Sequence, residues 1–180
     1  QRWRKYLKEL RRCRNHRSEA SVHDLRVATR RLISTLLIVE ILLPESRVQN
    51  LQRRLKKLFD AMSPLRDTQV QLITLEKKVA QLHDLETLIT ILKLRERAQM
   101  QRIGKRVAKT DTATLGVMLR RIKKTLQPIS TSRLKRTVGL TAALGEAAEG
   151  FIAIAALRER LRISQPHTVH RMRVAFKKFR

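Results

Sequence analysis

Two similar segments lie near opposite ends of the chain and set the first constraint on its fold. Val22–Leu32 reads VHDLRVATRRL, and Val169–Phe179 reads VHRMRVAFKKF. Val, His, Arg, Val and Ala recur at matching positions, and two further positions exchange arginine for lysine. A second copy of one segment indicates an internal repeat, in which each half of the fold contributes the same kind of element.

Each segment separates into an apolar and a cationic face when it is projected as an α-helix at about 100° per residue. The apolar face of the first helix comprises Leu25, Ala28, Leu32, Leu36 and Val39. Its opposite face comprises His23, Arg26 and Arg30, with Arg31 at the margin. The second helix places Met172, Ala175 and Phe179 opposite His170, Arg173 and Lys177. The sequence therefore predicts two amphipathic helices, each with a row of cations led by a histidine.

Composition extends this prediction to the whole chain. Its 180 residues suit one domain or two small, closely packed halves, and a hydrophobic fraction of 42% supplies a core. Five glycines and four prolines are too few for a turn-rich β architecture. We expect an all-α helical bundle with an internal pseudo-two-fold repeat. Residues 1–180 form a single domain, with a first half and linking helices over 1–127 and the start of a second half over 128–180.

Caps and helix breakers predict where the first helices begin and end. A basic helix over 3–15 is followed by a long helix that ends before Pro44, because proline cannot continue the hydrogen-bond ladder. Ser46 is a suitable cap for the next helix. Ser63-Pro64 is typical of a helix start, and the helix that it opens should reach about Leu82.

The remaining boundaries follow from the same signals. A helix from His83 to about Lys109 should precede one that Thr110 or Asp111 caps and that stops before Pro128. A helical stretch from 130–132 to about Ile163 is predicted next, and Gln165-Pro166 turns the chain into the second histidine helix. The long stretch contains three glycines, which indicate a kink, a break or a close helix contact: Gly139, Gly145 and Gly150.

The net charge indicates the class of partner. Lys and Arg number 41 against 15 Asp and Glu, which gives +26 at pH 7. Since self-repulsion opposes compaction and no fold requires such an excess, we expect a polyanionic partner. Most of these cations are arginine, whose planar guanidinium donates two parallel hydrogen bonds to phosphate oxygens.

Cysteine usage and hydropathy predict the compartment. A single cysteine, Cys13, excludes an intramolecular disulfide and suits a reducing cytosol. We find no secretory signal, and no uninterrupted apolar run approaches the roughly 18 to 20 residues of a membrane helix. The sequence therefore predicts a cytoplasmic protein with no membrane partner.

The repeated segments carry a resemblance to a known family. His23-x-x-Arg26-Val-Ala-Thr-Arg-Arg31 closely resembles the first signature of the CHAD (conserved histidine α-helical) domain family. The segment PLRDTQV, which begins at Pro64, is similar to the Arg-Asp element that follows in that family. His170-x-x-Arg173-Val-Ala-x-Lys-Lys-x-Arg180 resembles the second signature. In layout the resemblance covers the whole chain.

This resemblance implies two pseudo-symmetric four-helix-type bundles whose basic groove or channel binds inorganic polyphosphate, without a cofactor. Members of the family are associated with polyphosphate granules. The positions implied to meet phosphate are His23, Arg26, Arg30, Arg31, Arg66, His170, Arg173, Lys177, Lys178 and Arg180.

The chain departs from the family pattern at three points. Ile33 stands where the first signature often has a basic residue, and Gln69 replaces an acidic residue after the Arg-Asp pair. The family continues through further helices after the second signature, so we expect the second bundle to be incomplete in this chain.

Each of these patterns also has a plainer interpretation. A cationic helix face is usually a solvated surface, although recurrence of the same face favours a binding role here. His23 and His170 can instead hydrogen-bond across the bundle. Asp67 is expected to orient an arginine or to complement the helix dipole rather than to perform chemistry. Further basic clusters, such as Arg53–Lys57, can widen the positive field or be ordinary surface.

Catalysis and metal binding find little support in the sequence. Cys13-x-x-His16 and His167-x-x-His170 have ligand-like spacing, but neither has the second pair that a zinc site requires. No Asp-x-Asp or Glu-x-Glu pair is present to hold Mg²⁺, and no nucleophile lies beside a base. We therefore expect a binding protein that is not an enzyme and holds no metal. Nucleic acid, also a phosphate polyanion, is the alternative partner, although an aromatic content of 3% disfavours stacking on single strands.

Overall fold

The chain is all-α, as its composition predicts. The computed structural model describes residues 1–78 and 85–179, with side chains at all of these positions except 129, 130, 133–136 and 178. In the described ranges the helices are α1 (Arg2–Asn15), α2 (Glu19–Leu42), α3 (Ser46–Ala61), α4 (Ser63–Glu76), α5 (Leu85–Ala108), α6 (Thr112–Thr131), α7 (Arg133–Glu159) and α8 (Pro166–Phe179).

The apolar face of α2 is buried as predicted, except at Val39, which is half-buried. Leu25 is 0% exposed and Leu36 is 2% exposed, and Ala28 and Leu32 are buried between them. These positions recur every three or four residues, so they form one stripe along the helix that the rest of the first half covers. Burial of such a leucine side chain contributes about 1.5–3 kcal/mol, and α2 is thereby fixed with its cationic row turned outward.

Helix α1 packs through an apolar face that also carries one carboxylate. Tyr6, Leu10 and Cys13 are buried, and so is Glu9, which is 1% exposed. Lys5 Nζ lies 2.7 Å from Glu9 Oε1. Arg12 Nη1 donates a 2.8 Å hydrogen bond to Asp24 Oδ2 on α2. Because these carboxylates neutralise nearby cations, a strongly basic helix can lie against its neighbour.

Two predicted helix starts are confirmed, and one predicted end is too late. Helix α4 begins at Ser63 with Pro64 in its first turn, where the missing N–H of proline costs nothing. Helix α8 begins at Pro166. Helix α4, however, ends at Glu76 in a turn at 77–78, earlier than the predicted end near Leu82. Leu82 and the predicted start at His83 lie outside the described residues.

The prediction that α6 stops before Pro128 is wrong. The helix runs to Thr131 with Pro128 inside it, and Ser132 N donates a 3.3 Å hydrogen bond to the Pro128 carbonyl. Proline removes its own hydrogen bond to the preceding turn but leaves its carbonyl free to accept the next one. The chain therefore stays helical up to the junction with α7.

Helix contacts divide the chain into two compact units. Unit 1 comprises Gln1–Glu40 and Glu45–Lys123, and unit 2 comprises Ile41–Pro44 and Lys124–Arg180. In unit 1, α4 packs against α5, and α1 and α3 both contact α5. In unit 2, α7 packs along α8. The predicted boundary between residues 127 and 128 and the pseudo-two-fold relation between the halves stay predictions.

Two of the three glycines in α7 lie at close side-chain contacts, and none interrupts the helix. A Cβ at Gly139 would collide with the side chain of Leu42, and one at Gly150 would lie 3.0 Å from the Phe179 ring. At Gly145 nothing lies within 4 Å of such an atom. The sequence predicts a kink, a break or a close helix contact at these glycines. A close contact is found at Gly139 and Gly150.

Helix α7 is an exception to the prediction that no segment is long and apolar enough to cross a membrane. Thr137–Glu159 spans 23 residues and is long and apolar enough, by length and composition, to cross a membrane. Alanine and scattered larger apolar residues raise its mean hydropathy, while Glu146, Glu149 and the glycines interrupt the apolar run, so the sequence shows no long uninterrupted run there. Side chains such as Leu144 and Ile152 are more than 60% exposed. One helix of this length and composition is weak evidence for a membrane span, and α7 differs from the mostly buried core helices of soluble proteins that share these properties.

The buried stripe of α2 predicts an asymmetric response to truncation. Leu25→Ala should lower the free energy of unfolding by about 2–5 kcal/mol, because it removes packing at a fully buried site and leaves a cavity. Leu37→Ala, at a 52% exposed position of the same helix, is the matched control and should cost less than about 1 kcal/mol. Urea unfolding followed by circular dichroism measures both, and similar losses would contradict the buried position of this face.

Burial of Tyr6 predicts a shifted titration at alkaline pH. Desolvation raises the pKa of its hydroxyl from 10.0 to about 12, partly opposed by the charge of Arg14. Between these two values the unfolded chain has lost the phenolic proton and the folded chain keeps it, so the free energy of unfolding should fall as pH rises through this window. Tyr6 is the only tyrosine. Tyrosinate absorbance should therefore show a midpoint about two pH units higher in buffer than in denaturant, and equal midpoints would contradict its burial.

Candidate functional site

The cationic row of α2 faces outward along the helix. His23, Arg30 and Arg31 are exposed, whereas Arg26 is half-buried. At about 1.5 Å of rise per residue, the row from His23 to Arg30 spans about 10 Å along one side of the helix. Among the described residues, no ion pair engages His23, Arg30 or Arg31. Their donors are therefore available to a ligand.

Arg26 is held in place by groups that sequence reasoning did not identify. Its Nη1 donates a 2.8 Å hydrogen bond to Ser63 Oγ at the start of α4. Its guanidinium carbon lies 4.3 Å from the centroid of the Phe59 ring on α3, a cation–π contact. Desolvation lowers the Arg26 pKa, and the charge of Asp67 opposes that shift. Arg26 stays protonated, as arginine does in proteins, and it anchors the row to α3 and α4.

Arg66 is close enough to Arg26 for the two charges to repel each other, so the Arg-Asp element adjoins the α2 row. The charges of Arg30 and Arg66 both lower the Arg26 pKa. Arg66 Nη1 lies 3.6 Å from Glu19 Oε1, and one third of the Arg66 side chain is exposed. Asp67 is exposed and favours the charged form of Arg26, an electrostatic role in keeping with the expectation for that residue.

The second row lies on α8, in unit 2. His170, Arg173 and Lys177 are exposed, and Met172 and Ala175 on the other side of the helix are half-buried. This division repeats the predicted one except at Phe179, a residue of the predicted apolar face that is 43% exposed. No hydrogen bond or ion pair is found for the three cationic side chains within the described part of the chain. The side chain of Lys178 and the whole of Arg180, also predicted site residues, lie outside the described residues.

The sequence alone does not predict which residues contact Arg26. Ser63 follows Arg26 by 37 positions, and Phe59 lies on a different helix from either. The sequence indicates only a helix cap at Ser63, and a single phenylalanine in an amphipathic helix indicates a core residue. Nothing local in the sequence marks either residue as a partner of Arg26.

The described site consists of cations with few carboxylates beside them, an arrangement suited to anions rather than to metal ions. No group of three or more His, Cys, Asp or Glu side chains in the described residues is placed to hold a metal ion. The carboxylates near Arg26 face cations: Glu19 pairs with Arg66, and Asp67 favours charged Arg26. The guanidinium N–H groups of Arg26 and Arg66 can therefore donate hydrogen bonds to phosphate oxygens.

The fold and its exposed cationic rows define a basic, all-α domain. The family model described as the CHAD domain matches residues 1–180, the whole chain. The chain therefore belongs to the CHAD domain family, whose members are linked in general to polyphosphate-related proteins. No curated protein matches the chain, and no solved structure does either.

The anchoring of Arg26 predicts different costs for two neighbouring arginines. Arg26→Ala should lower the free energy of unfolding by about 1–3 kcal/mol, because it removes the bond to Ser63 and the contact with Phe59. Arg30→Ala, one helical turn away and exposed, should stay within about 0.5 kcal/mol of the parent. Chemical unfolding of both variants tests the difference. Equal stabilities would mean that Arg26 is not an anchor.

Proposed function

We propose that this chain binds inorganic polyphosphate without altering it chemically. The observation that carries the proposal is the cationic row on α2, in which His23, Arg30 and Arg31 are exposed and form no ion pair among the described residues. Arg26, half-buried in the same row, lies near Arg66. Membership of the CHAD family and a net charge of +26 support it. A second row on α8, His170 with Arg173 and Lys177, carries the same chemistry.

Row geometry favours a linear ligand. Positions three and four residues apart lie about 4.5 and 6 Å apart along the helix axis, so successive donors follow one line. A chain of phosphoryl groups presents charge at short, regular intervals, and each arginine can engage two oxygens at once. A small, singly charged anion would use one position and leave the others unpaired.

Part of the binding energy should come from the release of counterions. A polyanion holds a condensed layer of cations, and neutralising phosphates with Arg and Lys returns those cations to solution. Arg26 is pre-positioned by Ser63 and Phe59, so it loses little conformational entropy on binding. Exposed Arg30 and Arg31 lose more, since free arginine side chains have many rotamers. In this proposal the domain acts in the cytoplasm at polyphosphate granules.

Competition separates this proposal from binding of nucleic acid. At about physiological salt, long-chain polyphosphate should displace a labelled polyphosphate probe at lower phosphate concentration than DNA or RNA of matched charge. The physical reason is that flexible phosphate chains fit a narrow row of cations without bases to accommodate, and the chain is poor in aromatic rings for stacking. Fluorescence anisotropy measures the three competition curves. Displacement at lower concentration by nucleic acid would favour the alternative partner.

Charge reversal tests whether the rows themselves bind. Arg30→Glu with Arg31→Glu should weaken binding of long-chain polyphosphate roughly 10-fold or more, because hydrogen bonds to charged groups contribute about 1.5–3 kcal/mol each. Arg173→Glu with Lys177→Glu should act in the same direction on the α8 row. The matched control is Arg95→Glu with Arg97→Glu, which changes the net charge equally at exposed positions of α5.

The salt dependence of the same variants gives a second measurement. The logarithm of the affinity should fall linearly with the logarithm of the salt concentration, with a shallower slope for the row variants than for the control. Equal losses of affinity in row and control variants, at every salt concentration, would indicate diffuse attraction by the net charge and would contradict the proposed site.

A further inference from the structure

A second cationic surface of unit 1 is concave. A cleft of about 610 Å³ lies among α1, α3, α5 and the start of α6, with Tyr6, Leu58 and Leu115 among its lining residues. Its size falls within the range of small-molecule sites. The cations that line it are Arg53, Arg54, Lys57, Arg106 and Lys109.

The cleft has a different lining from the row on α2, because no residue of α2 borders it. At about 100° per residue, Arg53, Arg54 and Lys57 share one face of α3, and the midpoint of that face is about 180° from Phe59. Phe59 carries the Arg26 guanidinium on its ring. The α2 row and the cleft are therefore separate candidate sites, each with its own set of cations.

The cations of the cleft are mostly unpaired within the fold, although, beside the hydrogen bonds from Thr114, the charge of Arg54 helps to lower the pKa of Asp111. No ion pair engages any of the five among the described residues, and Arg53 alone donates a side-chain hydrogen bond, to Asn50 one turn earlier. The carbonyls at the end of α5, which would attract Arg106 and Lys109, already accept from another residue. Arg14 Nε donates to the Val107 carbonyl at 3.1 Å and Arg14 Nη2 to the Thr110 carbonyl at 2.6 Å.

Asp111 makes the cleft suit a short anion better than a long one. Its carboxylate lines the cleft and accepts hydrogen bonds from the backbone N–H and the hydroxyl of Thr114. These bonds, from hydroxyl and backbone in that order, lower the Asp111 pKa, so the group stays negative. A long polyphosphate chain that extended through the cleft would have to pass the negative charge of Asp111. A compact anion can lie among Arg53, Lys57 and Arg106 and avoid it.

We propose that this cleft is a binding site for a compact oligophosphate, meaning a short run of phosphoryl groups such as free tripolyphosphate or the triphosphate of a nucleotide. Three cations of α3, Arg106 of α5 and Lys109 just after α5 line one concavity, whereas the α2 row extends along one line. Several cations gathered around one concavity can neutralise the charges of a triphosphate together. The proposal does not depend on polyphosphate binding by the rows.

Titration calorimetry of the whole chain with inorganic tripolyphosphate, free of divalent cations, tests the proposal. Lys57→Glu with Arg106→Glu should lower the affinity at least roughly 10-fold, by reversing two charges on facing helices of the cleft. The control, Arg95→Glu with Arg97→Glu, carries the same change of net charge outside the cleft and should lower it less than about three-fold. A milder pair, Lys57→Gln with Arg106→Gln, serves if the reversed variant fails to fold, as judged by circular dichroism.

Comparison with the row variant keeps this site separate from the proposed function. Arg30→Glu with Arg31→Glu should affect binding of long-chain polyphosphate more than binding of tripolyphosphate, and the cleft variant should show the opposite order. Equal loss of tripolyphosphate affinity in the cleft and control variants would contradict the proposed cleft site, whether or not the rows on α2 and α8 bind polyphosphate. A parallel titration with ATP identifies the source of the triphosphate: tighter binding of ATP indicates a nucleotide, and tighter binding of tripolyphosphate indicates the free anion.

Discussion

Repulsion among cations is the constraint on which the rest of this structure depends. With 15 carboxylates for 41 Lys and Arg, most positive charges cannot be paired within the fold. Several carboxylates lie where cations must approach a neighbouring helix: Glu9 takes Lys5 as α1 packs, Asp24 joins α2 to α1, and Asp67 steadies Arg26. Most cations of the α2 row and of the cleft form no ion pair among the described residues, and both surfaces become candidates for binding anions.

Much of the fold follows from patterns that act over a few residues. The stripe through Leu25 and Leu36 and the starts at Ser63 and Pro166 depend on helical periodicity and local caps, so the sequence predicts them correctly. Pro128 was misjudged because a proline stops a helix only where its missing N–H and its ring cannot be accommodated. Whether they can be accommodated depends on the surrounding chain, which periodicity does not describe.

The candidate site also has features that the sequence predicts and features that it does not. Exposure of His23, Arg30 and Arg173 follows from helical projection alone, because their faces are opposite the apolar stripes. The half-burial of Arg26 against Phe59 and Ser63 depends on how α3 and α4 pack beside α2, and the cleft depends on three further helices. Such contacts join residues distant in sequence. A motif shared with a family predicts that they exist but not which side chains make them.

The stacking of Trp3 on Tyr6, with ring centroids 5.4 Å apart, has a practical consequence for anyone who follows unfolding of this chain. These are its only tryptophan and its only tyrosine, so intrinsic fluorescence is confined to the first helix. Circular dichroism, by contrast, averages over every helix in both units. Melting curves from the two signals will coincide only if α1 detaches when the remainder of the chain loses its helices, and a gap between them would reveal that the units melt separately.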